Sequence, residues 1–262
     1  MKRRPITIWI SCSMIIIGIV MVIIGASLGA GFGYLKDYDT ESFTREYTQE
    51  IKTVDINYKV GKLIIKKGDE LKIVADEVRK DSIRTDVSGD KLTIKSTDKY
   101  YLFNFGKNSE LTVYIPDDLT YFSVKVGAGE LVINDITAEQ VNIKTGAGEA
   151  DINNLTSDQT TIKSGVGELK ISNSDLTDLN LKAGVGEVNI DAQLKGDCDI
   201  KGGIGDINLD IDCSIDDYRF DFSNGIGDIR VNGDSYKKYK HHDGEYSMSV
   251  DNGIGDIEIY MD

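Results

Sequence analysis

From Phe122 to the end of the chain, apolar residues recur in pairs at spacing two, one pair on each side of a short glycine motif. Phe122/Val124, Val141/Ile143, Leu179/Leu181, Cys198/Ile200, Phe220/Phe222 and Met248/Val250 precede the motif, with Thr160/Ile162 as a polar departure. Leu131/Ile133, Ala150/Ile152, Leu169/Ile171, Val188/Ile190, Ile207/Leu209, Ile229/Val231 and Ile257/Ile259 follow it. Spacing of two puts both members of a pair on one face of a strand. Each unit therefore predicts two inward-facing strands joined at a turn.

The motif reads Gly-x-Gly-Glu/Asp, and its first glycine falls at Gly127, Gly146, Gly165, Gly184, Gly203, Gly225 and Gly253. The intervals are 19, 19, 19, 19, 22 and 28 residues. A period near 20 denotes a solenoid, so residues 122–262 predict a seven-rung, single-stranded β-solenoid with a glycine corner in every rung. At about 4.8 Å per rung, the rod is about 30 Å long. The residue between the glycines grows from Ala128 and Ala147 through Val166 and Val185 to Ile204, Ile226 and Ile254. The residue before them shrinks from Val126 through Thr145, Ser164 and Ala183 to Gly202, and then becomes Asn224 and Asn252. The opposed trends predict two side chains sharing one packing volume near the core.

Upstream, residues 51–58, 59–66, 70–75, 91–95 and 110–115 alternate as strands do. Residues 51–121 thus predict a degenerate β region that caps or begins the stack, and the polar stretch 36–50 reads as a linker. Residues 6–28 are uncharged and rich in isoleucine. A bilayer core needs about 20 apolar residues, whereas the apolar part of a cleaved signal is about 7–15. Residues 1–35 therefore predict a basic tip and an uncleaved N-terminal transmembrane helix. Lys2, Arg3 and Arg4 orient it with the N-terminus cytoplasmic and the remainder outside.

Those three are among 30 basic residues, so the chain after Leu35 holds 27 against 44 acidic ones and is more negative, at −17, than the whole at −14. So acidic an exterior repels phosphate backbones and excludes nucleic acid as a partner.

The Gly-x-Gly-Glu/Asp rungs, with the strand opening at 54–63, resemble the putative-adhesin β-strand repeat domains of bacterial envelope proteins, a domain of unknown function. The resemblance covers 51–262. It implies an all-β, right-handed β-helix-like fold, frequent membrane tethering and, in some members, a link to envelope stress. It implies no catalytic residue and no cofactor.

In register, Glu130, Glu149, Glu168, Glu187, Asp206, Asp228 and Asp256 form an acidic column. Like charges about 5 Å apart need neutralising. A parallel column of Lys125, Lys144, Lys163, Lys182 and Lys201 offers ion pairs across the corner. It stops at Ser223 and Asp251, which leaves Asp228 and Asp256 as the candidate cation ligands. The longest interval carries a basic aromatic insertion, Tyr236, Lys237, Lys238, Tyr239, Lys240, His241 and His242, suited to an anionic envelope polymer or an envelope protein. A solvated loop is the plain alternative. The two histidines are adjacent, so neither a two-histidine metal site nor a base beside a Ser or Cys nucleophile follows. A Cys198–Cys213 disulfide stays open. The last strand, 257–262, has no evident cap, which leaves self-association through the final rung as an expectation. The functional expectation is a non-enzymatic, membrane-anchored module for envelope interaction or stress sensing. The alternative is a carbohydrate-active enzyme on a β-helix scaffold.

Overall fold

Alternating pairs make strands, and the computed structural model consists of little else. It describes residues 39–97, 109–116, 119–212 and 215–261. The expected transmembrane anchor and basic tip fall on residues 1–35, outside the described residues, among which no helix is long and apolar enough to cross a membrane.

The rungs have more sides than the sequence predicts. In the first, the buried residues are Phe122, Val124, Val126, then Leu131, Ile133, then Ile136, Ala138, before Val141 opens the next. Through the first three rungs inward parity breaks three times per 19 residues, so each of these rungs has three inward-facing segments rather than two. One break is the glycine corner. Another sits at Asp135, Asn154 and Asn173, all with φ between 51° and 58°. Asn and Asp tolerate this left-handed conformation, which replaces a second glycine corner.

The N-terminal region is part of the stack. β2 (Thr53–Lys67) runs parallel to the start of β7 (Leu119–Val166), with Val54 opposite Phe122 and Leu63 opposite Leu131. β5 (Lys91–Ser96) and β6 (Glu110–Ile115) add a further layer on the two halves of β2. Three antiparallel strands close this end: β4 (Ile83–Ser88) on β5, β3 (Leu71–Arg79) on β6, and β1 (Thr40–Tyr47) on β3. The supposed linker therefore contains an edge strand. Its inward face carries Glu41, Phe43, Arg45 and Tyr47, only two of them apolar, so hydrophobic alternation did not reveal it. Arg45 lies 4.2 Å over the Phe43 ring and donates to Thr85 at 2.7 Å, which satisfies the charge on that face.

Successive rungs follow chain order through β8 (Leu169–Thr177), β9 (Leu179–Val185), β10 (Val188–Lys195), β11 (Cys198–Lys201) and β12 (Ile207–Asp212). Leu169, Val188 and Ile207 stack in register. Then the order inverts. β17 (Tyr246–Ile254) and β18 (Ile257–Met261) dock on β11 and β12, Met248 against Cys198 and Ile257 against Ile207. β13 (Tyr218–Ile226) and β14 (Ile229–Val231) lie beyond them, Phe220 against Met248 and Ile229 against Ile257. The chain skips one place, turns back through the insertion, and fills the gap with its last rung. β15 (Asp234–Tyr236) and β16 (Tyr239–His241) then cover the outer edge in antiparallel fashion. The expected uncapped terminal strand is buried between two rungs instead, because an open parallel edge would expose unpaired backbone groups.

Asp197 ties the inverted rung in place. Its Oδ1 accepts both the backbone N–H and the hydroxyl of Ser247, each at 2.8 Å. The backbone bond, the hydroxyl bond and Arg219 hold its carboxyl below the usual value. A lowered folded pKa stabilises fully above the unfolded value of about 3.9 and is lost as pH falls through the folded one. Asp197→Asn is therefore expected to flatten the acid limb of the stability curve, with urea midpoints of variant and wild type converging between pH 7 and pH 3. Thr160 has the opposite sign. It is 1% exposed and its hydroxyl lacks a hydrogen-bond partner, while Leu179 fills the same place in the next rung. Thr160→Val is expected to raise stability by about 1 kcal/mol in urea denaturation.

Candidate functional site

The glycine corner is the most regular surface on the rod. The residue before each glycine pair turns inward, with Val126 at 2% and Asn252 at 6% exposure. The residue between the glycines turns out, with Ile204 at 40%, Ile254 at 45% and Ile226 at 68%. The two do not share a packing volume, because the apex of a convex bend has no inward direction. The shrinking position has another cause. A Cβ at Gly202 would meet Asn252 Oδ1 from the adjoining rung, and Asn252 donates from Nδ2 to Gly205 O at 2.8 Å. Asn224 repeats the bond to Gly255 O at 2.6 Å. The growing position forms an aliphatic ridge in register, half-buried at Val166 and Val185 and exposed from Ile204 on, with Val166 on Val185, Val185 on Ile204, Ile204 on Ile254 and Ile254 on Ile226.

The acidic column flanks that ridge, and its last members run Asp206, Asp256, Asp228 rather than in chain order. Each carboxylate accepts the backbone N–H of the next acid, Asp256 N to Asp206 at 2.8 Å and Asp228 N to Asp256 at 2.9 Å. Arg230 lies 3.7 Å from Asp228 and 3.6 Å from Asp256. At the other end Lys62 pairs with Glu130 at 2.8 Å, and that bond raises the lysine pKa. Between these ends Glu149, Glu168 and Glu187 have no ion pair among the described residues, although amides of Asn189 and Asn208 reach Glu168 and Glu187 at 3.5 and 3.1 Å. The lysines do not cross the corner. Lys201 pairs with Asp199 on its own strand at 2.6 Å. No ion pair among the described residues involves Lys125, Lys144, Lys163 or Lys182.

The basic insertion divides in two. Tyr239 stacks on Phe222 with ring centres 5.4 Å apart and meets Tyr236 edge-on at 4.9 Å. Burial pushes its phenol pKa up. Lys240 pairs with Asp221 at 2.6 Å, and the His241 ring lies 6.2 Å from Phe220. Tyr239, Lys240 and His241 thus build the cap, and a wholly solvated loop is not what forms. Tyr236, at the end of β15, and Lys237 and Lys238 in the turn that follows stay exposed.

A shallow groove lies on the outer face of the post-glycine strands. Asn189 and Asp191, Asn208 and Asp210, and Glu258 and Tyr260 line it. Asn208 donates to Asn189 at 2.9 Å, and Tyr260 donates to Glu258 at 2.9 Å, which raises the tyrosine pKa. Sequence reasoning missed this groove because Asn208 sits beside Glu258, and Asp210 beside Tyr260, only through the inverted rung.

The family model described as Toastrack DUF4097 matches residues 51–242. The chain belongs to that family. Among solved structures, a putative cell adhesion protein from Clostridium sporogenes ATCC 15579 is 15% identical, covering 86% of this chain and 100% of its own, with a TM-score of 0.40. A putative adhesin from Bacteroides fragilis NCTC 9343 is 14% identical, covering 84% and 98%, at 0.34. A putative lipid binding protein from Parabacteroides distasonis ATCC 8503 is 14% identical, covering 87% and 99%, at 0.39. No curated protein matches the chain. Toastrack DUF4097 is a domain of unknown function, so the family carries no site across. In this Toastrack chain, Arg230 occupies the place between Asp228 and Asp256 that the sequence left to a cation. No group of three or more His, Cys, Asp or Glu is gathered for a metal among the described residues. Cys198 is buried, and Cys213, the other half of the disulfide left open by the sequence, lies outside the described residues.

Proposed function

We propose that this chain is a membrane-tethered extracytoplasmic binding module that holds a hydroxyl-rich polymer of the cell envelope on its outer face without turning it over. Residues 6–28 anchor it, with Lys2, Arg3 and Arg4 inside. The observation that carries the reading is the groove. Amide, carboxylate and phenol groups of successive rungs line up on a rigid sheet, with Ile190 and Leu209 buried directly behind them. Asn supplies donors and acceptors, Asp and Glu supply acceptors, and Tyr260, 48% exposed, supplies an aromatic face with a polar tip. The chain in detergent should retain wall polysaccharide in co-sedimentation, and Asn208→Ala with Tyr260→Ala should lose it. Lys237→Ser with Lys238→Ser serves as the comparison. Equal binding by the groove variant would refute the site. Release of reducing ends would replace the reading with the carbohydrate-active enzyme.

A further inference from the structure

We infer that the glycine corner is a self-association edge, where a second copy docks ridge to ridge about a two-fold axis parallel to the stack. Three observations meet there. The ridge exposes Ile204, Ile254 and Ile226 at 40%, 45% and 68%, in register, and these are the exposed large aliphatic side chains among the described residues. On one side of it runs a lysine column, of which Lys125, Lys144, Lys163 and Lys182 form no ion pair among the described residues. On the other side runs an acidic column whose middle members, Glu149, Glu168 and Glu187, form no ion pair among the described residues.

A two-fold axis along the ridge brings the lysine side of one copy against the acidic side of the other. Because the axis is parallel to the stack, there is no axial shift, so Lys144 faces Glu149, Lys163 faces Glu168 and Lys182 faces Glu187 at the same levels. The edge is thus self-complementary in charge. The C-terminal rungs fit the same logic. Where the lysine column gives way to Asp251 and Ser223, the acids Asp256 and Asp228 are neutralised within the chain by Arg230. At Asp256 and Asp228, where a second copy would bring no cation, the chain supplies one itself. At the opposite end Lys62 pairs with Glu130, which a second copy's Lys125 would also face. The unneutralised stretch is the one a partner's lysines would reach.

Seven corners at about 4.8 Å give an edge about 30 Å long. With the stems of the flanking side chains, the contact is roughly 400–500 Å² per copy, in the range of weak, transient interfaces. The association is therefore salt-sensitive, and a shared bilayer favours it by confining the copies. A parallel axis also leaves both N-terminal caps at the same end, as anchoring in one membrane requires.

The test uses the full chain in detergent, by sedimentation at low and raised ionic strength. Wild type is expected to form a dimer that weakens with salt. Lys144→Glu/Lys163→Glu/Lys182→Glu makes both columns acidic, and Glu149→Lys/Glu168→Lys/Glu187→Lys makes both basic. Each alone should dimerise on the order of 100-fold more weakly. An equimolar mixture of the two should recover a heterodimer. A monomeric wild type, dimers indifferent to both reversals, or a mixture that stays monomeric would overturn the inference. Ile204→Cys, with Cys12 and Cys213 changed to Ser, keeps the test decisive should a triple variant misfold. Ile204 lies on the axis and should cross-link to its own copy on oxidation, whereas Ser172→Cys in the same background should not. Absence of the Ile204 cross-link also overturns it.

Discussion

Gly167→Ala is expected to destabilise the chain by about 3–5 kcal/mol, and Gly89→Ala by only about 1. Both glycines have positive φ, +133° and +62°. An alanine reaches φ +62° in the left-handed region for roughly 1–2 kcal/mol, whereas φ +133° lies outside that region and is essentially open to glycine alone. Space widens the difference. A Cβ at Gly89 meets nothing within 4 Å, whereas one at Gly167 would overlap the carbonyl oxygen of Gly148 in the rung beneath. Rungs spaced by backbone hydrogen bonds cannot separate locally without breaking the ladder, so the clash is not relieved by a rotamer change. Urea denaturation of the two variants measures that difference. Equal losses would show that neither the crowding nor the backbone conformation sets the corner glycines apart.

Ending the chain after Glu245 is expected to unfold more than the segment removed. Residues 218–241 should lose amide-exchange protection, while residues 119–166 keep it. β13 and β14 stack on the core through β17 and β18, and β15 and β16 rest in turn on β13 and β14. In a solenoid, stability is nearly a sum of rung and nearest-neighbour terms. Deleting an inner rung removes two interfaces and strands everything outside it. The buried Met248, Val250, Ile257, Ile259 and Met261 go with it, each worth about 1.5–3 kcal/mol. A stack in chain order would lose one terminal rung, and residues 218–241 would stay protected.

The period, the inward pairs and the membership of residues 51–121 in the stack were legible because core burial imposes a spacing of two. The third inward segment was harder to see. In each rung one of its two inward places holds a small residue, Ala138, Ser157, Ser174 or Ala192, beside a single large one, Ile136, Leu155, Leu176 or Leu194, so no apolar pair marks it although all are buried. β1 was missed for a related reason, since Arg45 holds an inward place by pairing with Phe43 and Thr85. The corner misled differently. Parity places Val126 and Ala128 on one face, and only the bend sends one in and the other out. The inverted rung was not legible at all. The 28-residue interval announced an insertion, but nothing in its residues says which edge it covers. The groove and the order of the acidic column followed that omission.

The neighbour order of the last three rungs underlies the groove, the internal neutralisation by Arg230 and the closed end of the rod. Two double-cysteine variants test it directly, with Cys12 and Cys213 changed to Ser. In the structure Asn208 is opposite Glu258, and Arg230 lies beyond Glu258. Neighbouring strands are about 4.8 Å apart, within the Cα separation a disulfide spans, while strands two places apart are about 10 Å apart and beyond it. Asn208→Cys with Glu258→Cys should therefore close an intramolecular disulfide on mild oxidation, seen by peptide mapping. Asn208→Cys with Arg230→Cys should remain reduced. A disulfide in the second pair and none in the first would mean that the rungs stack in chain order, and the account would be wrong.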